Sequence, residues 1–281
     1  IIYFITVFTH RYANFQTTTS DKIIMKKLIL FMLMISLFLS GCSDKTKNRD
    51  VLSKVQGENK IVVGVKYDSK PFGFIDKDNQ LKGFDIDIAK GIAKRILGDE
   101  NSVEFKQVTP SNRILKLSSG EIDMIVATMT ISQSRMELVE FTQPYYKIGQ
   151  AVLVKKNSDI YSTKDLNKKR VAIILGSVSE KQLRLLAPDA KIKGYKTYSE
   201  AYSALLKGEA DAISSDDSIL YGFLYDNKSL RILPERYTKE NYAIAYRKDE
   251  KSKKFGKKVE EALLDMQKRG EIIQIKRKWI R

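Results

Sequence analysis

The chain has 281 residues, of which 43% are hydrophobic and 30% charged, with 50 Lys and Arg against 34 Asp and Glu for a formal net charge of +16. Cys42 is its one cysteine and His10, close to the start, its one histidine. That composition fits an ordinary globular protein and excludes disulfide staples, histidine-based metal centres and Ser-His or Cys-His nucleophilic machinery from the body of the chain.

Met25-Lys26-Lys27 opens an apolar run, Leu28 to Leu39, that closes on Leu39-Ser40-Gly41-Cys42. A basic start, an apolar stretch too short to span a bilayer and small residues at the cut site read as a bacterial lipoprotein signal peptide. Residues 1–24 are then upstream sequence outside the reading frame, 25–41 the signal peptide, and Cys42 the lipidated first residue of a mature chain. Its two acyl chains anchor the protein at the extracytoplasmic face of the cell membrane. There the positive charge matches anionic membrane and wall surfaces, and nucleic acid is not expected as a partner. Residues 42–59, polar and without periodicity from Ser43 to Glu58, are expected to be a tether.

The folded part begins at Ile61-Val62-Val63-Gly64-Val65, a β-branched run that predicts a buried strand. Gly83-Phe84-Asp85-Ile86-Asp87-Ile88 then opens a helix with Ile88, Ile92 and Ile96 on one face, and Asp85 and Asp87 are expected to cap its free amides. A strand over Val103 to Val108, a helix from Pro110 and a strand over Met124 to Ala127 follow, and this alternation argues for parallel sheets in an α/β fold. Leu117-Ser118-Ser119-Gly120-Glu121-Ile122-Asp123-Met124-Ile125 recurs as Leu205-Leu206-Lys207-Gly208-Glu209-Ala210-Asp211-Ala212-Ile213. In each a helix ends at a glycine able to turn left-handed and runs into a buried strand, so two similar lobes are expected. Ligands of open sheets gather beyond the carboxyl ends of the strands, which points to Thr128 to Arg135 and to Ser214 to Asp217.

Together with Phe141-Thr142-Gln143-Pro144-Tyr145-Tyr146, these segments resemble the substrate-binding lipoproteins of polar amino-acid ABC transporters (family 3 solute-binding proteins) from about Ile61 to Arg281. The resemblance implies a two-lobed, type II clamshell of the periplasmic-binding-protein kind, working as a monomer with an ABC permease and its ATPase, and with neither catalysis, metal nor cofactor. It implies hinge crossovers near Tyr146 to Ala151 and Thr238 to Tyr242, with lobe 1 formed by 60–146 plus 243–281 and lobe 2 by 147–242. It further implies that Arg135 grips the ligand α-carboxylate with its planar fork, that Thr128 and Thr130 assist, and that Ser177 or Ser179 joins from the second lobe. Asp216 is implied to take the ammonium group, with its neighbour Asp217 read as a helix cap.

Lys66, Arg113 and Tyr198 match side-chain contacts of the aspartate/glutamate-binding branch. Lys66, Arg113 and Arg135 against Asp216 leave a site short of negative charge, so glutamate or aspartate is the expected ligand, with a glutamine or cystine type as the alternative. The competing readings put Lys66 in solvent and Arg113 in a surface ion pair. Phe72 and Phe74 line the cleft or pack the core. A dehydratase-like enzyme and a sensor domain are the other classes carried by such a fold; the sensor requires a spanning helix after Trp279-Ile280-Arg281.

Overall fold

The structure is a computed structural model that describes residues 49–280; the signal peptide and Cys42 lie outside them. The expected tether does not extend to residue 59. Val51–Glu58 forms a helix, α1, capped by the Asp50 carboxylate on the Ser53 N–H at 2.8 Å, with Val51 and Val55 buried. One helical turn separates those two valines, so they bury together despite the polar composition around them.

From there the chain runs β1 (Ile61–Val65), β2 (Asp68–Ser69), β3 (Gly73–Ile75), β4 (Leu81–Lys82), α2 (Phe84–Leu97), β5 (Val103–Gln107), α3 (Arg113–Ser118), β6 (Met124–Ile125), α4 (Gln133–Met136) and β7 (Val139–Phe141). All five residues of β1 are buried. Gly64 is glycine for packing reasons, because a Cβ there would lie 2.9 Å from Val108 and closer still to Ile122. The helix expected from Pro110 starts at Arg113, after a turn in which the Asn112 side chain accepts from the Thr109 N–H at 2.8 Å.

The chain crosses through β8 (Tyr146–Ile148) into β9 (Gln150–Lys155), β10 (Arg170–Ile174), α5 (Ser179–Leu186), β11 (Lys191–Tyr195), α6 (Tyr198–Lys207), β12 (Ala212–Asp216), α7 (Asp217–Asp226) and β13 (Leu230–Ile232). It returns through β14 (Glu240–Tyr242) to β15 (Ala245–Arg247), α8 (Lys253–Lys268) and α9 (Glu271–Trp279).

One sheet has the order β5-β1-β6-β15-β7 and the other β11-β10-β12-β9-β13. In both the first three strands are parallel and the last two antiparallel to their neighbours. The sequence repeat sits at the same place in each, and its glycines, Gly120 and Gly208, have φ of 79° and 77°. Two crossing strands, β8 and β14, pair antiparallel between the sheets and form the hinge. Rings of Phe72, Phe84, Tyr145, Tyr146 and Tyr242 pack around it with centroids 5.3 to 6.4 Å apart. Phe72 is therefore core, and Phe74 packs edge-on against Trp279 at 5.9 Å.

Candidate functional site

The carboxyl ends of β1, β6 and β12 converge beside the hinge. Lys66 follows β1 directly and is 1% exposed; Arg113 opens α3 and is 2% exposed, so neither lies at the surface. The Lys66 ammonium sits over the Tyr198 ring, 4.3 Å from its centroid. Burial first, then the Arg113 charge, pull the Lys66 pKa down to about 7. Asp216, Asp68 and Asp85 pull in the other direction. Arg113 donates to the Ala127 carbonyl at 2.7 Å, while its Nε is buried without a partner. Burial and the neighbouring Arg135 lower its pKa to about 9, which still leaves it cationic at neutral pH.

Arg135 is held differently. It donates to the Thr130 carbonyl at 2.7 Å in its own lobe and to the Gly176 carbonyl at 3.0 Å in the other. Two of its five N–H groups are thus used in bridging the lobes, one to each. Burial is the main force lowering its pKa, and Asp216 is the largest opposing charge.

Thr128 turns out of β6 with φ of 46°, and its N–H donates to Asp85 at 2.8 Å. Asp85 therefore does not cap α2, whose N-cap is Gly83 with no side-chain bond. Its second oxygen accepts from the Tyr145 hydroxyl at 2.9 Å, and burial raises its pKa to about 6. A carboxylate in the first turn looks like a cap in sequence; here the left-handed turn at Thr128 supplies a nearer N–H. Asp87 likewise faces the C-terminal helix, accepting from Lys278 and from the Trp279 indole at 2.7 Å each.

From the second sheet, Asp216 is buried at the end of β12. Its carboxylate accepts from the Tyr242 hydroxyl of hinge strand β14 at 2.6 Å and from the amide of Gln150, the first residue of β9. The same amide donates to Glu240 at 3.0 Å, and Gln150 Oε1 accepts from the Ser179 hydroxyl at 2.6 Å. Ser179 is thereby occupied, whereas the Ser177 hydroxyl and the Thr128 hydroxyl are buried without partners. Asp217 is no cap: it begins α7 and pairs with Arg236 at 2.9 Å.

The structure thus gathers Lys66, Arg113, Thr128, Thr130, Arg135, Ser177, Tyr198 and Asp216 into one region, with Ser179 reaching it through Gln150. Sequence reading missed Gln150, Glu240 and the role of Asp85. The signal for Gln150 was a lone amide at the head of the buried run Ala151-Val152-Leu153-Val154, a place where a polar group must find partners. Among the described residues no His, Cys, Asp or Glu group forms a metal cluster, and no helix is long and apolar enough to cross a membrane.

Two lobes hinged by a strand pair, with cations on one side of a buried cleft and a carboxylate on the other, define a clamshell solute-binding protein. The chain belongs to the bacterial extracellular solute-binding proteins, family 3, whose profile matches residues 61–281. It is 40% identical over 269 residues to the ABC transporter glutamine-binding protein GlnH of Bacillus subtilis, covering 91% of this chain and 98% of that one. It is also 40% identical over 242 residues to the glutamine-binding protein of Geobacillus stearothermophilus, covering 80% and 92%. A solved ancestral arginine-binding protein bound to glutamine superposes with a TM-score of 0.74 at 38% identity, covering 79% of this chain and 98% of that one.

Proposed function

We propose that the chain is the lipid-anchored, extracytoplasmic receptor of an ABC importer for a polar L-amino acid, with glutamine as its ligand. The observation that carries this reading is the set of carboxylates that accompanies the cations in the buried site. Counted from sequence, three cations face Asp216 alone, which favours an acidic ligand. In the fold, Asp85 and Asp68 act on Lys66, burial lowers the Lys66 pKa to about 7, and Glu240 shares the Gln150 amide with Asp216, so the cations do not face Asp216 alone. A site with no surplus of positive charge does not call for a second ligand carboxylate, and a zwitterion with an uncharged side chain fits it. The two glutamine-binding relatives at 40% identity support the same choice.

In this reading Arg135, with the Ser177 hydroxyl, holds the α-carboxylate and Asp216 the ammonium group. Arg113, Lys66 and Tyr198 face the side-chain carboxamide. Thr130 steadies Arg135 through its carbonyl, and Thr128 offers its free hydroxyl. Closing the two lobes is driven by contacts each makes with one ligand. No chemical step is part of the function, and one monomer delivers its ligand to the permease. Calorimetric titration with the twenty L-amino acids tests the proposal: glutamine is expected to bind tightest. Tightest binding of glutamate would restore the acidic reading, and binding of none would end the receptor reading. For the anchor, Cys42→Ser is expected to release the protein into the medium or leave it unprocessed, with ligand affinity unchanged.

A further inference from the structure

The two lobes meet at points that admit no side chain. Gly222 lies in the middle of α7, where glycine is the worst residue but proline for helix stability. The groups that require it belong to the other lobe. A Cβ on Gly222 would overlap the Lys70 carbonyl oxygen and lie 2.9 Å from the carbonyl carbon. Lys70 belongs to the loop between β2 and β3, so the clash is with backbone and no rotamer change relieves it. On the far rim, a Cβ on Gly176 would lie 2.7 Å from the Pro110 carbonyl and from the Ser111 Cα. Two hydrogen bonds join the lobes close to these contacts: Tyr198 N–H to Asp68 at 2.9 Å, and Arg135 to the Gly176 carbonyl at 3.0 Å. Next to Gly222 the two lobes border an open recess of about 340 Å³ lined by Tyr67 and Phe74 of one and Tyr202 and Phe223 of the other.

We propose that Gly222 is a positioning residue for lobe closure: its bare Cα lets α7 seat against the Lys70 carbonyl, and any side chain there holds the cleft ajar and weakens ligand binding without touching the ligand. The inference rests on the chain being a closing receptor. It makes two effects of opposite sign follow from one methyl group. Within α7 alone, Gly222→Ala improves the helix, so the ligand-free protein is expected to melt about 2 to 4 °C higher. Across the lobes it overpacks, and L-glutamine affinity is expected to fall about ten- to a hundredfold, more for Gly222→Val than for Gly222→Ala.

The experiment measures the full chain by calorimetry, thermal melting and small-angle scattering, with and without L-glutamine. A raised ligand-free melting temperature, a graded loss of affinity and a loss of the ligand-induced decrease in radius of gyration support the gate. Affinity within threefold of the unsubstituted protein with full compaction overturns it. So does a lower melting temperature of ligand-free Gly222→Ala, because the glycine then serves lobe 2's own packing. If the unsubstituted protein itself neither binds nor compacts with any L-amino acid, the receptor reading has failed, and the melting temperature alone then decides whether the glycine serves lobe 2.

Discussion

The two five-stranded sheets share one strand order, yet their third strands end in opposite chemistry. In lobe 1, β6 runs into Thr128, whose amide is fixed by Asp85 while Arg113 and Arg135 gather on the carbonyls of Ala127 and Thr130. In lobe 2, β12 ends at Asp216, whose carboxylate is fixed by Gln150 of the neighbouring strand β9 and by Tyr242 of the hinge. One scaffold used twice thus presents cations from one side and an anion from the other. In the proposed reading a zwitterion satisfies both ends only when the lobes meet, which couples recognition to closure.

Removing the cation that spans the lobes breaks this comparison most severely. Arg135→Ala is expected to weaken every amino acid alike, by about 3 to 5 kcal/mol, because the α-carboxylate and two backbone carbonyls lose their shared donor. Arg135→Lys is expected to recover little, since an ammonium cannot bridge as a planar fork does. Titrations with glutamine, asparagine and glutamate side by side check it. A loss confined to one ligand would place Arg135 at the side-chain end.

On the opposite side, Asp216→Asn is expected to cost about 2 to 5 kcal/mol of affinity by leaving the ammonium group without its counter-charge. Asp217→Asn, one residue on, is expected to leave affinity within about twofold, because its carboxylate is bound to Arg236 at 2.9 Å. If the two variants trade places in the titration, the site uses the next register.

Much of this was legible before any fold was known, and unevenly so. Gly120 and Gly208 mark helix ends followed by buried strands, so the repeat exposed the twofold architecture and the strand ends to inspect. Lys66 and Arg113 could be named but not placed, because burial of a cation depends on partners distant in sequence. Asp85 was misread for the same reason. Its position in the first turn of a helix is that of a cap, and only the positive φ of Thr128, 43 residues on, redirects it. Asp85 acts on Lys66, so a count that leaves it on the helix makes the site short of negative charge.

The side-chain end is sharpened by pH. The folded pKa of Lys66 is depressed from the ordinary lysine value to about 7. Burying it therefore costs nothing above about pH 10.5, where it is neutral folded or unfolded, and the cost grows as pH falls toward 7, below which it is constant. A glutamate side chain bound there favours the protonated form. Glutamate affinity is accordingly expected to fall as pH rises from 7 to 9, by up to about tenfold per pH unit, with glutamine affinity nearly flat. Lys66→Met is expected to abolish that slope and to cost glutamate about 1.5 to 3 kcal/mol more than glutamine. Equal slopes for both ligands would remove Lys66 from the side-chain pocket.

The smallest expected effect belongs to lobe 1 alone and concerns where the folded body starts. Asp50 accepts from the Ser53 N–H and also pairs with exposed Lys254 at 3.2 Å. The cap is the contact that counts, because a pair with so exposed a lysine contributes little. Asp50→Ala is expected to lower the melting temperature by about 2 to 4 °C while leaving glutamine affinity unchanged, since α1 packs on α8 and away from the cleft. Asp50→Ser, which restores a capping oxygen without the charge, is expected to regain most of the loss. An unchanged melting temperature in Asp50→Ala would mean that residues 51–58 do not hold to the lobe and behave as the tether their polar composition implies.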